Sequence, residues 1–292
     1  MKLRQYLAES AQKMTKAGVD SPRLCAHVLV RQVLGLDRIG CVTQADRQLS
    51  ASEMEALDAL VARRAAGEPL AHITGSREFY GRDFRVTPHT LIPRPETELL
   101  IDKALEAAAK LESGGRLTER GLHFADLGTG SGCIGITLAL ELPRWRGLLM
   151  DISGEAVKTA WHNARTLGAQ ASVVCIEGDL YRPPLTPGAY ALLASNPPYI
   201  AEDERPMVMP EVLAHEPHGA LFSPAGGLAH LEAVITAAAS ALAPGGCLLL
   251  EHGAAQGAET RRLLRAHSLF EAPVTHRDMA GLERCTVAYR AH

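Results

Sequence analysis

Two strings in this chain bring together residue types and spacings that could do chemistry. The first is Asp126-Leu127-Gly128-Thr129-Gly130-Ser131-Gly132-Cys133-Ile134-Gly135, which closes a short apolar run. Glycines at this spacing let the chain turn tightly and let a ligand approach the backbone, with a helix N-terminus behind it. Taken literally, Gly130, Gly132 and Gly135 match the G-x-G-x-x-G dinucleotide pattern, and Asp151 ends the next apolar run as an acceptor for ribose hydroxyls. The second string is Ser195-Asn196-Pro197-Pro198-Tyr199-Ile200. Its consecutive prolines remove two backbone donors and push each preceding residue away from helix, which makes a rigid extended corner. The corner's main-chain carbonyls are left to accept hydrogen bonds from something else.

An NH₂ group conjugated to a carbonyl or an aromatic ring suits those carbonyls. Its nitrogen lone pair is delocalised and weakly nucleophilic. With Asn196 Oδ1 and the Pro197 carbonyl accepting the two N–H bonds, the lone pair turns toward an electrophile, and Tyr199 stacks on the flat face. No strong general base is required, because the nitrogen becomes acidic as it acquires charge. That fits a motif with no His beside it. The electrophile this arrangement calls for is the sulfonium methyl of S-adenosylmethionine. Asp126 before the loop and the tight Gly128-x-Gly130-x-Gly132 run also suit that cofactor better than a nicotinamide dinucleotide. Asp151 then accepts from both ribose hydroxyls, and Asp179, in Glu177-Gly178-Asp179, accepts from the adenine amino group.

Composition bounds the alternatives. At 292 residues the chain is long enough for about two domains, with 47% apolar and 22% charged residues and only 4% aromatics. The formal charge is −3, so bulk positive charge does not hold it to nucleic acid. The six cysteines are far apart with no CxxC, which predicts core residues in a reducing compartment and no zinc site or disulfide framework. No apolar stretch approaches 18 residues, and the N-terminus lacks an apolar signal segment, so a cytoplasmic, membrane-free protein is expected. Monomer is the default state.

The elements that must position these residues are legible as follows. Helices are expected along residues 1–71: one with Leu3, Leu7, Ala11 and Met14 on a face, one opened by Asp20-Ser21-Pro22, and one capped near Ser50 or Ser52 with Glu53 or Glu55 in its first turn. Residues 72–94 are expected to be a β-hairpin linker, and Pro95 to open a helix carrying Glu96 and Glu98. Beyond, strands are expected near Leu122–Leu127, Gly147–Asp151, Ser172–Ile176, Ala189–Ser195, Gly246–Glu251, Leu269–Thr275 and Arg284–Arg290. The clearest helix is Leu228–Leu242, closed by Pro244-Gly245-Gly246. This alternation implies an α/β fold with a parallel sheet covered on both faces and a final antiparallel pair.

Gly67-Glu68-Pro69-Leu70, Ile73-Thr74-Gly75, Glu78-Phe79-Tyr80-Gly81, Leu91-Ile92-Pro93-Arg94-Pro95-Glu96-Thr97-Glu98, the glycine loop, Asn196–Ile200, and Glu251 with Gln256 together resemble the HemK/PrmC family over nearly the whole length. Its members are protein-(glutamine-N5) methyltransferases acting on peptide chain release factors. The resemblance implies a helical N-terminal substrate-docking domain (1–71), a hairpin linker (72–94) and a class I S-adenosylmethionine-dependent methyltransferase domain (95–292) with a Rossmann-like seven-stranded sheet. It implies cofactor contacts at Gly128, Thr129, Gly130, Ser131, Gly132, Asp151 and Asn196, to which the strand-end reading adds Asp179 with Leu180 beside it. Substrate contacts fall at Asn196, Pro197, Pro198 and Tyr199, with Asn196, Pro197 and Tyr199 closest to the chemistry, and no metal. The substrate is the Gln of the GGQ tripeptide, and the other product is S-adenosylhomocysteine. His72 stands where the family commonly has Tyr, His252 where an aliphatic residue is usual, and Leu180 where some members have Trp beside the adenine. Two other substrates use similar chemistry: a glutamine of a ribosomal protein, and the N6 of adenine in nucleic acid. The Pro93–Glu98 string and the small, nearly neutral N-terminal region favour the release-factor branch. A nicotinamide oxidoreductase rests on the literal glycine match alone, and a non-catalytic binding protein would not be expected to keep both Asn196 and the glycines.

Overall fold

A computed structural model describes residues 1–113 and 122–292. The chain divides into two compact units, Met1–Ser76 with Met209–His215, and Arg77–Val208 with Glu216–His292.

The first unit is helical: Leu3–Lys16, Pro22–Leu34, Arg38–Thr43, Ala51–Ala65 and Leu70–Thr74, joined by Pro210–His215. Leu3, Met14, Leu29 and Leu57 are fully buried in its core, as the helical spacing requires. Ser50 is the N-cap of Ala51–Ala65 and forms a capping box with Glu53. At Pro22–Leu34 the proline occupies the first turn, but Ser21 has a left-handed backbone (φ +50°) and its side chain makes no cap bond. The helix Arg38–Thr43 is one the periodicity misses; Asp37 caps it through Gly40 N–H at 2.7 Å. Arg64 is buried, and its Nη1 donates to Glu211 Oε2 and to Glu68 O, both at 2.8 Å. That pair ties Met209–His215 to this unit.

The hairpin is shorter than expected. His72–Thr74 close a helix, because Pro69 starts it, Gly75 (φ +73°) ends it, and Ala71 and Ile73 gain burial that way. The two strands are β1 (Ser76–Phe79) and β2 (Arg82–Arg85). Tyr80 (φ +51°) and Gly81 (φ +74°) make the two-residue turn whose twist suits a hairpin. A 3₁₀ turn over Pro95–Thr97 then leads into the helix Glu98–Ser113.

Seven further strands form one sheet: β3 (His123–Leu127), β4 (Arg146–Asp151), β5 (Val173–Glu177), β6 (Tyr190–Ser195), β7 (Leu242–Glu251), β8 (Val274–Arg277) and β9 (Glu283–Tyr289), in the order β5-β4-β3-β6-β7-β9-β8. All neighbours pair parallel except those involving β9, which is antiparallel to β7 and β8. Successive residues feed opposite cores. Phe124, Leu192, Ala194 and Leu249 pack with Leu100, Ile101 and Ile136 on one face. Ala125, Leu193, Leu248 and Leu250 pack with Leu231, Val234 and Ile235 on the other. Both faces are buried, which is why the strands read as apolar runs.

Two boundaries move. β7 begins at Leu242, so Pro244-Gly245-Gly246 lie inside the extended segment, with a register shift against β6. β8 begins at Val274 rather than Leu269, because Pro273 has no N–H to give a ladder and Phe270 is buried in the second core instead. All six cysteines are free thiols; Cys175 is half-buried and the others are buried. Among the described residues no helix is long and apolar enough to cross a membrane, and no group of three or more His, Cys, Asp or Glu could hold a metal ion.

Candidate active site

The sheet order reverses at β3, with β4 on one side and β6 on the other, and ligands of open α/β sheets bind at the carboxyl ends beside such a switch. Register places Leu127 beside both Met150 and Ser195. The residues that follow, Gly128, Asp151 and Asn196, therefore leave the sheet side by side. Gly128 and Thr129 donate their N–H groups to Met150 O at 2.8 and 2.9 Å, folding the loop over the end of β4. Gly128, Gly130 and Gly132 have φ of +74°, +54° and +84°. Residues with a Cβ avoid that region, so the alternation of glycines is what this path demands. Gly132 also lacks room: a Cβ there would stand 2.5 Å from Ile136 Cδ1. At Gly130 no atom lies within 4 Å of the Cβ position, and the backbone faces open space.

Three carboxylates surround the loop in different ways. Asp126 is fully buried; its Oδ2 accepts from Thr129 Oγ1 at 2.5 Å and Gly135 N–H at 2.9 Å, while Oδ1 has no partner. Burial pushes it up to about 7. It staples the loop to the helix Cys133–Glu141 from beneath. Asp151 Oδ2 accepts from Gly130 N–H at 2.8 Å and Oδ1 from Ser153 N–H at 2.9 Å. Burial raises its pKa against those bonds. Asp179 is exposed, and its Oδ1 accepts from Tyr181 N–H at 2.9 Å.

The Asn-Pro-Pro-Tyr corner is anchored at both ends. Ser195 Oγ donates to Leu127 O at 2.6 Å. Asn196 Nδ2 donates to Thr97 Oγ1 at 3.3 Å. Tyr199 O accepts from Gln256 Nε2 at 2.8 Å, and Gln256 Oε1 accepts from Gly253 N–H at 2.9 Å. Glu251, at the end of β7, is buried with Oε2 unpartnered, and burial pushes it up to about 7. Tyr199 is likewise pushed up to about 12 by burial, so its hydroxyl keeps its proton. His252 is enclosed: Nδ1 pairs with Gly253 O at 2.9 Å and Nε2 with Thr286 Oγ1 at 2.8 Å, which leaves the ring no role in the site.

One cavity of about 330 Å³ is lined by Gly128, Thr129, Gly130, Ser131, Asp151, Asp179, Leu180, Asn196 and Pro198. Of the residues expected in the site, Gly132 stands behind the loop as the helix N-cap. Pro197 is buried, and Tyr199 packs on the core formed with Leu231. These three are outside the cavity lining. The lining also includes groups from outside the glycine loop and the Asn-Pro-Pro-Tyr corner. Thr90, Pro93, Arg94 and Thr97 come from the segment before the helix Glu98–Ser113, and Pro217, Gly219 and Ala220 from the loop after residue 216. Arg94 Nη2 pairs at 2.6 Å with Glu216, whose Oε2 accepts Ile92 N–H at 3.0 Å, so one buried carboxylate ties the two segments together. Two histidines, His89 and His230, also reach the lining. The ring of His230 pairs through Nδ1 with Ser223 Oγ at 2.9 Å, and burial lowers its pKa.

Comparison with known proteins identifies the family. The family model of the PrmC N-terminal domain matches residues 5–75, and that of the methyltransferase small domain matches residues 115–228. The chain is 44% identical to the release factor glutamine methyltransferase of Nitratidesulfovibrio vulgaris, over 99% of this chain and 95% of that one. It is 37% identical to the release factor glutamine methyltransferase of Vibrio cholerae, over 96% and 94%. Among solved structures, the catalytic domain of human METTL16 in complex with the MAT2A 3′UTR hairpin 6 shares the fold with a TM-score of 0.57. It is 16% identical and covers 80% of this chain and 82% of that one. The chain belongs to the release factor glutamine methyltransferase family.

Proposed function

We propose that this protein transfers a methyl group from S-adenosylmethionine to the side-chain amide nitrogen (N5) of the GGQ glutamine in peptide chain release factors, and so modulates translation termination. The observation that carries the reading is one cavity lined by both the glycine loop and Asn196, two elements that sequence separates widely. The residues present fit the cofactor. An open backbone cradle at Gly130 suits the amino-acid end, Asp151 retains lone pairs for ribose hydroxyls, and Asp179 stands near Leu180 for the adenine amino group. Leu180 supplies apolar surface where some relatives use Trp, and Ile152 lines the same cavity. When bound, S-adenosylmethionine supplies an electrophilic methyl group and leaves as S-adenosylhomocysteine.

The chain's own part is to bind, orient and exclude water. Asn196 Oδ1 and the Pro197 carbonyl accept the two N–H bonds of the glutamine amide, which fixes the nitrogen's lone-pair direction. Asn196 is held through Nδ2 by Thr97, so Oδ1 remains as its acceptor. Pro197 has no N–H to compete, and Tyr199, packed on the core behind the corner, helps hold the corner in place. As the N–CH₃ bond forms and the S–CH₃ bond breaks the nitrogen takes on positive charge, and in that charged state its N–H is strongly acidic, so the proton needs no strong base. The helices of residues 1–71 dock another part of the factor, with residues 72–94 as linker to the methyltransferase domain of 95–292. Purified release factor, ribosomal protein and unmodified DNA offered in parallel with labelled cofactor test this directly. Label in the release factor alone is expected, and label in DNA alone would overturn the reading.

A further inference from the structure

An asparagine amide has two chemically opposite ends and a broad, nearly two-fold terminal torsion, so its own stereochemistry does not decide which end meets a substrate. Here the choice bears on the reaction, since only Oδ1 can accept from a glutamine NH₂. Thr97 is buried at the start of the helix that packs beneath the sheet, and it lines the same cavity as Asn196. Its Oγ1 lies 3.3 Å from Asn196 Nδ2. A hydroxyl has one proton and two lone pairs. The Glu251 carboxyl, the buried group that ends β7, faces Thr97 as well. The other charged groups facing that carboxyl are Arg284, Arg94 and Glu96. In the structure the Thr97 oxygen accepts from Asn196 Nδ2. The reversed amide would lose that bond unless the hydroxyl turned its proton toward Oδ1.

We propose that Thr97 is the positioning residue for Asn196: it holds the Nδ2 end of the amide, so that Oδ1 is the end offered to the glutamine nitrogen. This inference rests on the reading of Asn196 as the acceptor of the substrate amide, and the experiment keeps the two apart.

The test uses the full chain with release factor and labelled cofactor under single-turnover conditions, with cofactor affinity measured by calorimetry. T97V removes the hydroxyl and should slow methyl transfer by about 10–100-fold, the range expected when a reacting group loses its alignment, with cofactor affinity held within about threefold. T97S keeps the hydroxyl and should recover most of the rate. In an N196A background, T97V should change the rate less than about twofold, since groups acting as one unit are not additive. A merely structural role would give multiplicative losses and no rescue by serine, and either result overturns the inference. If T97V does not melt cooperatively, T97A leaves room for a water beside Glu251 and carries the same comparison. N196A at wild-type rate would contradict the reading of Asn196 itself. A slow N196A beside a fast T97V would contradict only the role of Thr97.

Discussion

The Asp151 carboxylate accepts the Gly130 N–H at 2.8 Å, which joins the end of β4 to the crest of the glycine loop. Asp151 therefore shapes the loop as well as facing the cavity. Each of its oxygens spends one lone pair on backbone, Oδ2 on Gly130 and Oδ1 on Ser153, and each keeps one for a ligand hydroxyl.

Replacing Asp151 by Ala should weaken cofactor binding by about 10–150-fold, since charge-assisted hydrogen bonds contribute roughly 1.5–3 kcal/mol. D151N should fare little better, because its NH₂ end must face one of two backbone N–H donors. Calorimetric titration checks both, and unchanged affinity would remove Asp151 from the cofactor site.

Asn196→Ala should behave differently. Its contact is with the reacting amide, so turnover should fall by about 100-fold or more, while cofactor affinity moves by less than about threefold. Equal losses in both would place Asn196 on the cofactor rather than on the glutamine.

Glycine 227 meets the corner from behind. Its φ is +84°, and a Cβ there would stand 2.3 Å from Tyr199 O and 2.6 Å from Gln256 Nε2. Gly227→Ala must displace the Tyr199 carbonyl from its Gln256 partner. A loss of about 1–3 kcal/mol in stability is expected, as for other overpacked sites, together with slower transfer. Denaturant titration and single-turnover rates check the pair, and a G227A protein equal to wild type in both would mean the corner tolerates movement.

Stability should carry a mark of the buried carboxyl at the end of β7. Glu251 is pushed up to about 7 by burial, whereas a glutamate in an unfolded chain titrates near 4.3. Between those values the folded protein binds a proton that the unfolded chain has released, so this group's contribution falls as pH rises through the window. Glu251→Gln removes that dependence. Relative to wild type, E251Q should gain on the order of 3–4 kcal/mol on going from pH 4 to pH 8, since a tenfold change in proton affinity corresponds to about 1.4 kcal/mol. Parallel stability curves for the two proteins would show that Glu251 does not hold its proton.

Much of the cofactor-facing part of the site was legible because its demands are local. Gly128, Gly130 and Gly132 alternate because each takes a positive φ, and that requirement is written in five consecutive residues. The Asn196–Tyr199 corner is legible for the same reason, as proline restricts its own backbone and its predecessor's. The supporting contacts are not local. Thr97 and Asn196 are 99 positions apart, Ile92 and Glu216 are 124 apart, and Arg64 and Glu211 are 147 apart. No periodicity reports such pairs, which arise only when the chain has folded back on itself. Short apolar runs were the other weak point. His72 falls in a helix and Leu269 outside its expected strand, since a few apolar residues suit either state and neighbouring Pro69, Gly75 and Pro273 decide. Asp126 was visible before the loop, yet its role as a buried staple depends on Thr129 and Gly135 folding back onto it.

The central claim concerns one atom, the side-chain nitrogen of a glutamine. Tandem mass spectrometry of release factor treated with this protein and S-adenosylmethionine tests it most directly, with a factor carrying Gln→Ala in the GGQ tripeptide run alongside. A single methyl on the GGQ glutamine side chain, absent from the Gln→Ala factor, is the result the account predicts. A methyl on any other residue, or one that persists when that glutamine is gone, would contradict it.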